Sequence, residues 1–328
     1  MRLERYIFIA LFFLGLGGMA SCEKAEEPIA KPALSPAQIT RVDLGEDYQD
    51  QVFFDFSTGQ SVMTSKVNSW DLAFEAAPSG FHVFMNGAKD LLMYNTHNTN
   101  PGSITEAHAY IVEDRDWGFD SPSGLPDSTY VGDWRGKNET YILKFTDGSF
   151  KKLVLTAVND TVYKIEYGDI NSTSLTSFTI SKNPAFNYSY FSFDNGGKQV
   201  FPEPAKHTWD IVFTRYRYIY YELENTRYIV TGVLLNPFNT VARADSITGF
   251  QSISYNGLSM QEGFSNRRDA IGFDWKKYNF NTGIYESDLK KCFILRNQDD
   301  EYWKLRFIDF YNVNGVKGSP SFEFERLY

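Results

Sequence analysis

Hydrophobic and polar positions follow the same order along two stretches of the chain. Val52-Phe53-Phe54-Asp55-Phe56 runs into Ser57-Thr58-Gly59, and Trp70-Asp71-Leu72-Ala73-Phe74 opens a second apolar run. Tyr190-Phe191-Ser192-Phe193 runs into Asp194-Asn195-Gly196, and Trp209-Asp210-Ile211-Val212-Phe213 follows. Period-two alternation ending in a Gly-centred turn predicts a β-hairpin, because successive strand side chains point to opposite faces. Two copies of it predict an internal repeat.

Two further landmarks recur in the same order. Asp133-Trp134-Arg135 matches Asp274-Trp275-Lys276. The run Tyr141–Leu155, broken by Asp147-Gly148, matches Phe293–Phe307 without a gap. Asp-Gly between alternating runs is a strong hairpin signal. Offsets grow from 137 (Phe53/Tyr190) through 139 (Trp70/Trp209) and 141 (Trp134/Trp275) to 152 at the second hairpin, so insertions in the second half account for the drift. The expectation is a tandem duplication, with a first β unit over 39–185 and a second over 186–328. Two stretches lack a match: a loop-rich excursion at 86–133 and the interval 214–273. Long irregular segments on a rigid frame commonly carry function. No long amphipathic helix is predicted, and 245–273 holds a short helix at most.

Composition agrees. Aromatic residues make up 17% of the 328-residue chain and apolar ones 42%, which suits half-buried pleated surfaces. A net charge of -9 argues against nucleic acid, which requires a basic footprint. Arg215-Tyr216-Arg217 continues an alternating strand, so its arginines are expected to face solvent. Cys22 and Cys292 make no disulfide framework. Cys292, beside Phe293-Ile294-Leu295, is read as a small buried hydrophobe.

The leader changes the compartment. Arg2 and Arg5 precede an apolar stretch from Tyr6 to Ala20, too short to span a bilayer, so 1–21 is read as a signal peptide. Its end, Met19-Ala20-Ser21-Cys22, resembles a bacterial lipobox, which implies cleavage before Cys22 and lipidation of its thiol. Glu23-Lys24-Ala25-Glu26-Glu27 resembles the acidic export signal of surface lipoproteins of Bacteroidota. Pro28, Pro32 and Pro36 then make 22–38 an extended tether. The expected location is the outer membrane, lipid-anchored and facing the cell surface.

Candidate chemistry is sparse. Asp71 and Asp210 are carboxylates in apolar surroundings, but each sits at the same place in its repeat, so each is read as bonding backbone amides. The loop Glu113–Asp120 departs from the EF-hand spacing. Nucleophile elbows, Walker loops, HExxH and CxxC are absent, so no enzymatic activity is predicted. His97 and His108 in the excursion are the candidate haem ligands, since imidazoles on two loops can clamp a haem iron. His82 lies just before them and His207 precedes Trp209.

The Phe/Tyr-Phe-x-Phe…Gly…Trp-Asp element resembles the HmuY family of Bacteroidota lipoproteins. So does the closing pattern Phe293-Ile294-Leu295-Arg296…Lys304-Leu305-x-Phe307…Gly315-Val316-Lys317-Gly318…Phe322-x-Phe324. The resemblance covers nearly all the chain after the leader, as two copies of a unit that the haemophores of the family have once. It implies a mainly β fold: two tandem HmuY-like antiparallel β-sheet units packed together, with little helix. It also implies a lipid-anchored carrier that takes haem and hands it to an outer-membrane, TonB-dependent transporter in iron acquisition. Haemophores hold iron between two axial histidines or methionines. The interval 214–290 contains no histidine and one methionine, Met260, so no ligand is carried over by motif. The alternative is a surface adhesion or structural module recognising glycan or a partner protein. Tyr216, Tyr218 and Tyr220 motivate it, as rings on which sugars stack.

Overall fold

The alternating stretches form strands. The computed structural model describes residues 36–257 and 262–328; the leader, Cys22, most of the tether and Met260 lie outside them. Among the described residues there are 20 β-strands and one five-residue α-helix, α1 (Glu106–Tyr110). The predicted turns are in place. Gly59 and Gly148 take φ of +68° and +83°, where a side chain would be strained. Among its described residues the interval 245–273 forms 3₁₀ turns at Phe250–Ser252, Tyr255–Gly257 and Arg268–Ala270.

Strand order is the same in two pairs of sheets. In the first pair, β6 (Leu92–Asn95), β7 (Thr140–Lys144), β8 (Phe150–Val158), β9 (Val162–Asp169) and β10 (Thr176–Ser181) form a five-stranded antiparallel sheet in the order β10-β9-β8-β7-β6. Against it lies a four-stranded sheet, β12-β11-β4-β5, made of β4 (Leu72–Glu75), β5 (Val83–Met85), β11 (Tyr188–Ser192) and β12 (Lys198–Val200). The second pair has the five-stranded sheet β1-β20-β19-β18-β15, from β1 (Gln38–Arg41), β15 (Val241–Asp245), β18 (Cys292–Arg296), β19 (Tyr302–Tyr311) and β20 (Lys317–Leu327). Its four-stranded partner is β3-β2-β13-β14, from β2 (Asp50–Asp55), β3 (Gln60–Lys66), β13 (Ile211–Tyr220) and β14 (Thr226–Leu235).

The hairpins cross between the two halves of the sequence, 39–185 and 186–328. β2, in the first half, pairs with β13 in the second, placing Phe54 opposite Ile211 and Val52 opposite Phe213. β11, in the second half, pairs with β4 in the first, placing Phe191 opposite Leu72. One pair of sheets is therefore a continuous piece of chain, β4 to β12. The other is built from β13–β20 closed by the N-terminal β1–β3. Each pair draws strands from both sides of residue 185.

The pleat explains the layering. Val52, Phe54, Phe56, Ile211 and Phe213 turn towards Leu295, Leu305, Phe307, Phe322 and Phe324 of the five-stranded sheet and make one core. Leu72, Phe74, Phe191 and Phe193 make a second core with Leu143, Leu153, Tyr163 and Ile165. Fully burying each large apolar side chain contributes about 1.5–3 kcal/mol. Trp134 and Trp275 are fully buried equivalents; Trp134 stacks on Tyr141 at 5.9 Å and Trp275 on Phe307 at 4.1 Å. A buried lysine pins an irregular segment in each half of the sequence. Lys152 Nζ donates to Pro101 O (2.8 Å) and Ile104 O (3.0 Å), and Lys304 Nζ to Phe250 O (3.0 Å) and Ile253 O (3.1 Å). A buried ammonium needs such acceptors.

Candidate functional site

The two repeated aspartates are structural. Asp71 Oδ2 accepts from the Phe193 N–H at 2.7 Å, and its Oδ1 accepts from Lys89 Nζ at 2.5 Å. Asp210 Oδ2 accepts from the Phe56 N–H at 2.8 Å. Burial pushes the Asp210 carboxyl up to about 7, against the lowering effect of the Phe56 bond. Asp120 also turns inward, accepting from Met85 N–H (2.6 Å) and Tyr130 N–H (2.8 Å), and burial pushes it to about 6. Among the described residues no group of three or more His, Cys, Asp or Glu has the arrangement of a metal site.

Each histidine has its own neighbours. His97 sits exposed at φ +54° after β6. His108 is exposed on α1, where its Nδ1 lies 3.2 Å from Thr105 N and Oγ1 and closes a capping box. His82 Nδ1 meets Glu75 Oε2 at 2.8 Å, and the His207 ring packs on Phe238. None of the four lines the recesses beside Trp70, Tyr285 and Ile219.

One expectation for β13 is overturned, and the exposed-ring alternative for its tyrosines is lost. Arg217 does not face solvent; it is 3% exposed. Its guanidinium reaches Asp90 Oδ1 (2.9 and 3.1 Å) and Leu91 O (2.8 Å), joining β13 to the first repeat. The cause is the second sheet pair's position against the first, which covers a strand face that the alternation alone leaves open. Tyr216 is likewise buried in the apolar cluster of Phe53, Trp209 and Val212, while Tyr218 and Tyr220 are half-buried beside Phe273. They do not form an exposed strip of rings. Cys292 is fully buried as expected, and burial raises its thiol.

A wide recess lies in the second sheet pair. It is a groove of about 940 Å³, lined by Tyr48, Tyr220, Tyr228, Phe273, Tyr278, Phe280, Tyr285 and Phe310, with Arg215, Lys276, Lys277 and Lys317 among them. Two hairpins frame it. One is the long β13–β14 hairpin; the other is β16 (Lys276–Asn279) with β17 (Ile284–Ser287), in which Tyr278 pairs with Tyr285. The first repeat lacks both extensions: β4 and β5 are four and three residues long where β13 and β14 have ten each. Phe280 is 89% exposed, Tyr228 62% and Tyr278 44%, an arrangement of open rings at the mouth. Deeper in, Lys276 Nζ donates to Thr231 O and lies 4.4 Å from the Trp275 ring and 4.7 Å from the Phe310 ring. Burial lowers this amine to about 7. A concave, aromatic wall with a few placed cations is what a flat ligand bearing acid groups requires.

Part of this groove was foreseeable. The interval 214–273 contributes Arg215 to Phe273, as the unmatched-segment argument expects. The β16–β17 hairpin was missed, although the rise in offset from 141 at Trp275 to 152 at the second hairpin marks its insertion.

Comparison with known proteins matches part of the chain to a family. Residues 185–324 match the family described as HmuY protein. Among curated proteins none matches the chain. Solved structures with similarity include a HmuY-like haem-binding protein from Bacteroides vulgatus (11% identity, 88% of this chain, 90% of that one, TM-score 0.25). The apo HmuY analogue of Tannerella forsythia has 10% identity over 90% of this chain and 98% of its own, with a TM-score of 0.28. A lipoprotein from Bacteroides fragilis has 17% identity over 54% of this chain and 90% of its own, with a TM-score of 0.26.

Proposed function

From the HmuY-family segment at 185–324, we propose that this protein is a non-enzymatic carrier whose aromatic groove takes a haem-type porphyrin. The observation that carries the reading is the groove itself. Its walls are the two hairpins that set the second repeat apart from the first, and except for Glu46, Asp47 and Tyr48 its lining falls within the family segment. Its volume of about 940 Å³ is in the range of sites for large organic ligands. The rings of Tyr228, Tyr278 and Phe280 offer faces to a macrocycle, and Arg215, Lys277 and Lys317 offer charge to its carboxylates. Lipidation of Cys22 would hold the carrier on the outer membrane, where a TonB-dependent transporter is the receiver expected of such a carrier.

Titration of the purified protein with haemin tests this. A shifted Soret band at micromolar haemin is expected, weakened at least several-fold by Tyr228→Ala with Phe280→Ala. No spectral shift would sink the porphyrin reading. His97 and His108 remain the proposed iron ligands of a second seat, on the excursion of the first repeat. In that case His97→Ala with His108→Ala abolishes the band and the groove variant leaves it intact. A glycan in the groove is the competing occupant, since open rings also stack on sugars; an oligosaccharide array in parallel with the titration separates the two.

A further inference from the structure

Three lysines are buried among the described residues: Lys152, Lys276 and Lys304. Two of them are fully fastened. Lys152 Nζ reaches two backbone carbonyls, and Lys304 Nζ reaches two carbonyls and Glu325 Oε2, the last at 3.1 Å. Lys276 is held more loosely. Among the described residues its Nζ donates to Thr231 O alone, and no carboxylate comes within ion-pair distance. Lys276 also lines the aromatic groove, whereas Lys152 and Lys304 are sealed in the fold away from it.

The surroundings favour a neutral amine. An ammonium carries three donors, and one acceptor is present. The other neighbours of Nζ are ring faces: Trp275 at 4.4 Å, Phe310 of β19 at 4.7 Å and Tyr285 of β17 at 5.7 Å. Asp274 is the carboxylate that supports the charge, but it is exposed and already paired with Lys291 Nζ at 2.6 Å. Arg215, Lys277 and Lys317 share the groove and oppose one more positive charge; Glu46 and Asp47 line it as exposed residues. Burial wins over Asp274 and brings the amine down to about 7. A neutral amine gives one N–H to Thr231 O and keeps its lone pair free.

The matching position of the first half shows what is special here. Arg135 follows the buried Trp134 as Lys276 follows Trp275, yet Arg135 is exposed and paired with Asp133 at 2.5 Å. The β16–β17 hairpin and the long β14 bring the second residue indoors, and at this place the chain has a side chain that can act as a nucleophile.

We propose that Lys276 forms a reversible imine with an aromatic aldehyde seated in the groove, the aldehyde's ring lying among Tyr278, Tyr285 and Phe310. The Nζ lone pair attacks the carbonyl carbon and makes the C–N bond. The carbonyl oxygen takes both amine protons and leaves as water, so the products are a neutral imine and one water, with no oxidant or reductant consumed. Hydrolysis reverses the step and frees the amine.

The test uses benzaldehyde and propanal as probes, with borohydride reduction to fix any imine and peptide mass spectrometry to locate it. Haemin is left out, so failure of the porphyrin reading and failure of this one are read separately. At pH 7 benzaldehyde should label Lys276 at least about tenfold more than the exposed Lys277, because an ordinary lysine near 10.4 is almost wholly charged there. Labelling of Lys276 should rise through about pH 7 and then level off. Propanal, with no ring to stack, should label it several-fold less. Lys276→Arg keeps a donor for Thr231 O and cannot form the imine, so the preferred label should vanish while cooperative unfolding persists. The pH profile of the parent protein stands whether or not that variant folds. The proposal is overturned if Lys276 carries no more label than Lys277 at pH 7, if its labelling rises only above about pH 9 as an ordinary lysine's does, or if propanal labels it as readily as benzaldehyde.

Discussion

Asp210 accepts a hydrogen bond at 2.8 Å from the backbone N–H of Phe56, 154 residues earlier in the chain. The Asp210 N–H in turn donates to Phe54 O at 2.9 Å. Asp71 repeats both bonds, to Phe193 N–H and from its own N–H to Phe191 O. Each aspartate thus fastens the hairpin of the other repeat to its own strand. Removing Asp210 would leave the buried Phe56 donor unmet, so Asp210→Ala should lower stability by about 1–3 kcal/mol in urea unfolding.

The same carboxyl makes stability depend on pH. Burial raises Asp210 to about 7 in the folded state, against the usual carboxylate value when unfolded. A raised acid contributes stability that is fully present below its unfolded value and is lost as pH rises through about 7. Asp210→Asn keeps an acceptor for Phe56 and removes the titration. The urea midpoint of the parent should therefore fall more steeply than that of Asp210→Asn between pH 4 and pH 8. Parallel slopes would show that another group sets the dependence.

Arg217 gives a test of the contact between repeats. It is buried, while its partner Asp90 is 42% exposed at the side chain. Arg217→Ala strips a buried acceptor, Leu91 O, and opens space in the interface; a loss of about 2–4 kcal/mol is expected. Asp90→Ala should cost less than Arg217→Ala, since Leu91 O still holds the guanidinium. Equal losses would place the whole effect in the ion pair.

The β16–β17 hairpin can be removed to test the groove. Replacing 277–286 by a short Gly-Ser turn deletes Tyr278, Phe280 and Tyr285 from the lining and leaves the core contact of Trp275 with Phe307 in place. Cooperative unfolding should persist, and haemin binding should be lost. Retained binding would move the seat elsewhere, to His97 and His108 first.

Crossing of the hairpins predicts how fragments behave. The stretch 68–206 holds one complete sheet pair, β4 to β12, and should unfold cooperatively by itself. The stretch 201–328 lacks β1–β3 and should remain unfolded until a peptide spanning 36–68 is added, when circular dichroism should show strand formation.

Much of the frame was legible. Alternation and turn residues located both hairpin pairs, and the fully buried Trp134 and Trp275 were visible as landmarks. Pairing partners were not. Val52-Phe53-Phe54 and Tyr190-Phe191 have equivalent patterns, so period-two hydrophobicity fits β2 against either Trp-Asp strand equally well. Arg217 was misread for a related reason: alternation reports which face a residue takes, but only the tertiary arrangement says whether that face meets solvent. The groove was half legible, because insertion signals where a repeat departs from its twin without saying what shape results.

Closure of the last sheet pair by β1–β3 also sets an order of events. These strands are made first, yet their partners β13 and β20 begin at residues 211 and 317. At roughly 5–20 residues per second, synthesis alone separates β2 from β13 by about 8 seconds or more. Through that interval Phe53, Phe54 and Phe56 have no sheet to join. A chain cut short between residues 200 and 211 would keep one finished half and carry an orphaned aromatic ribbon at its front, a marker by which proteases can tell an incomplete copy from a finished one.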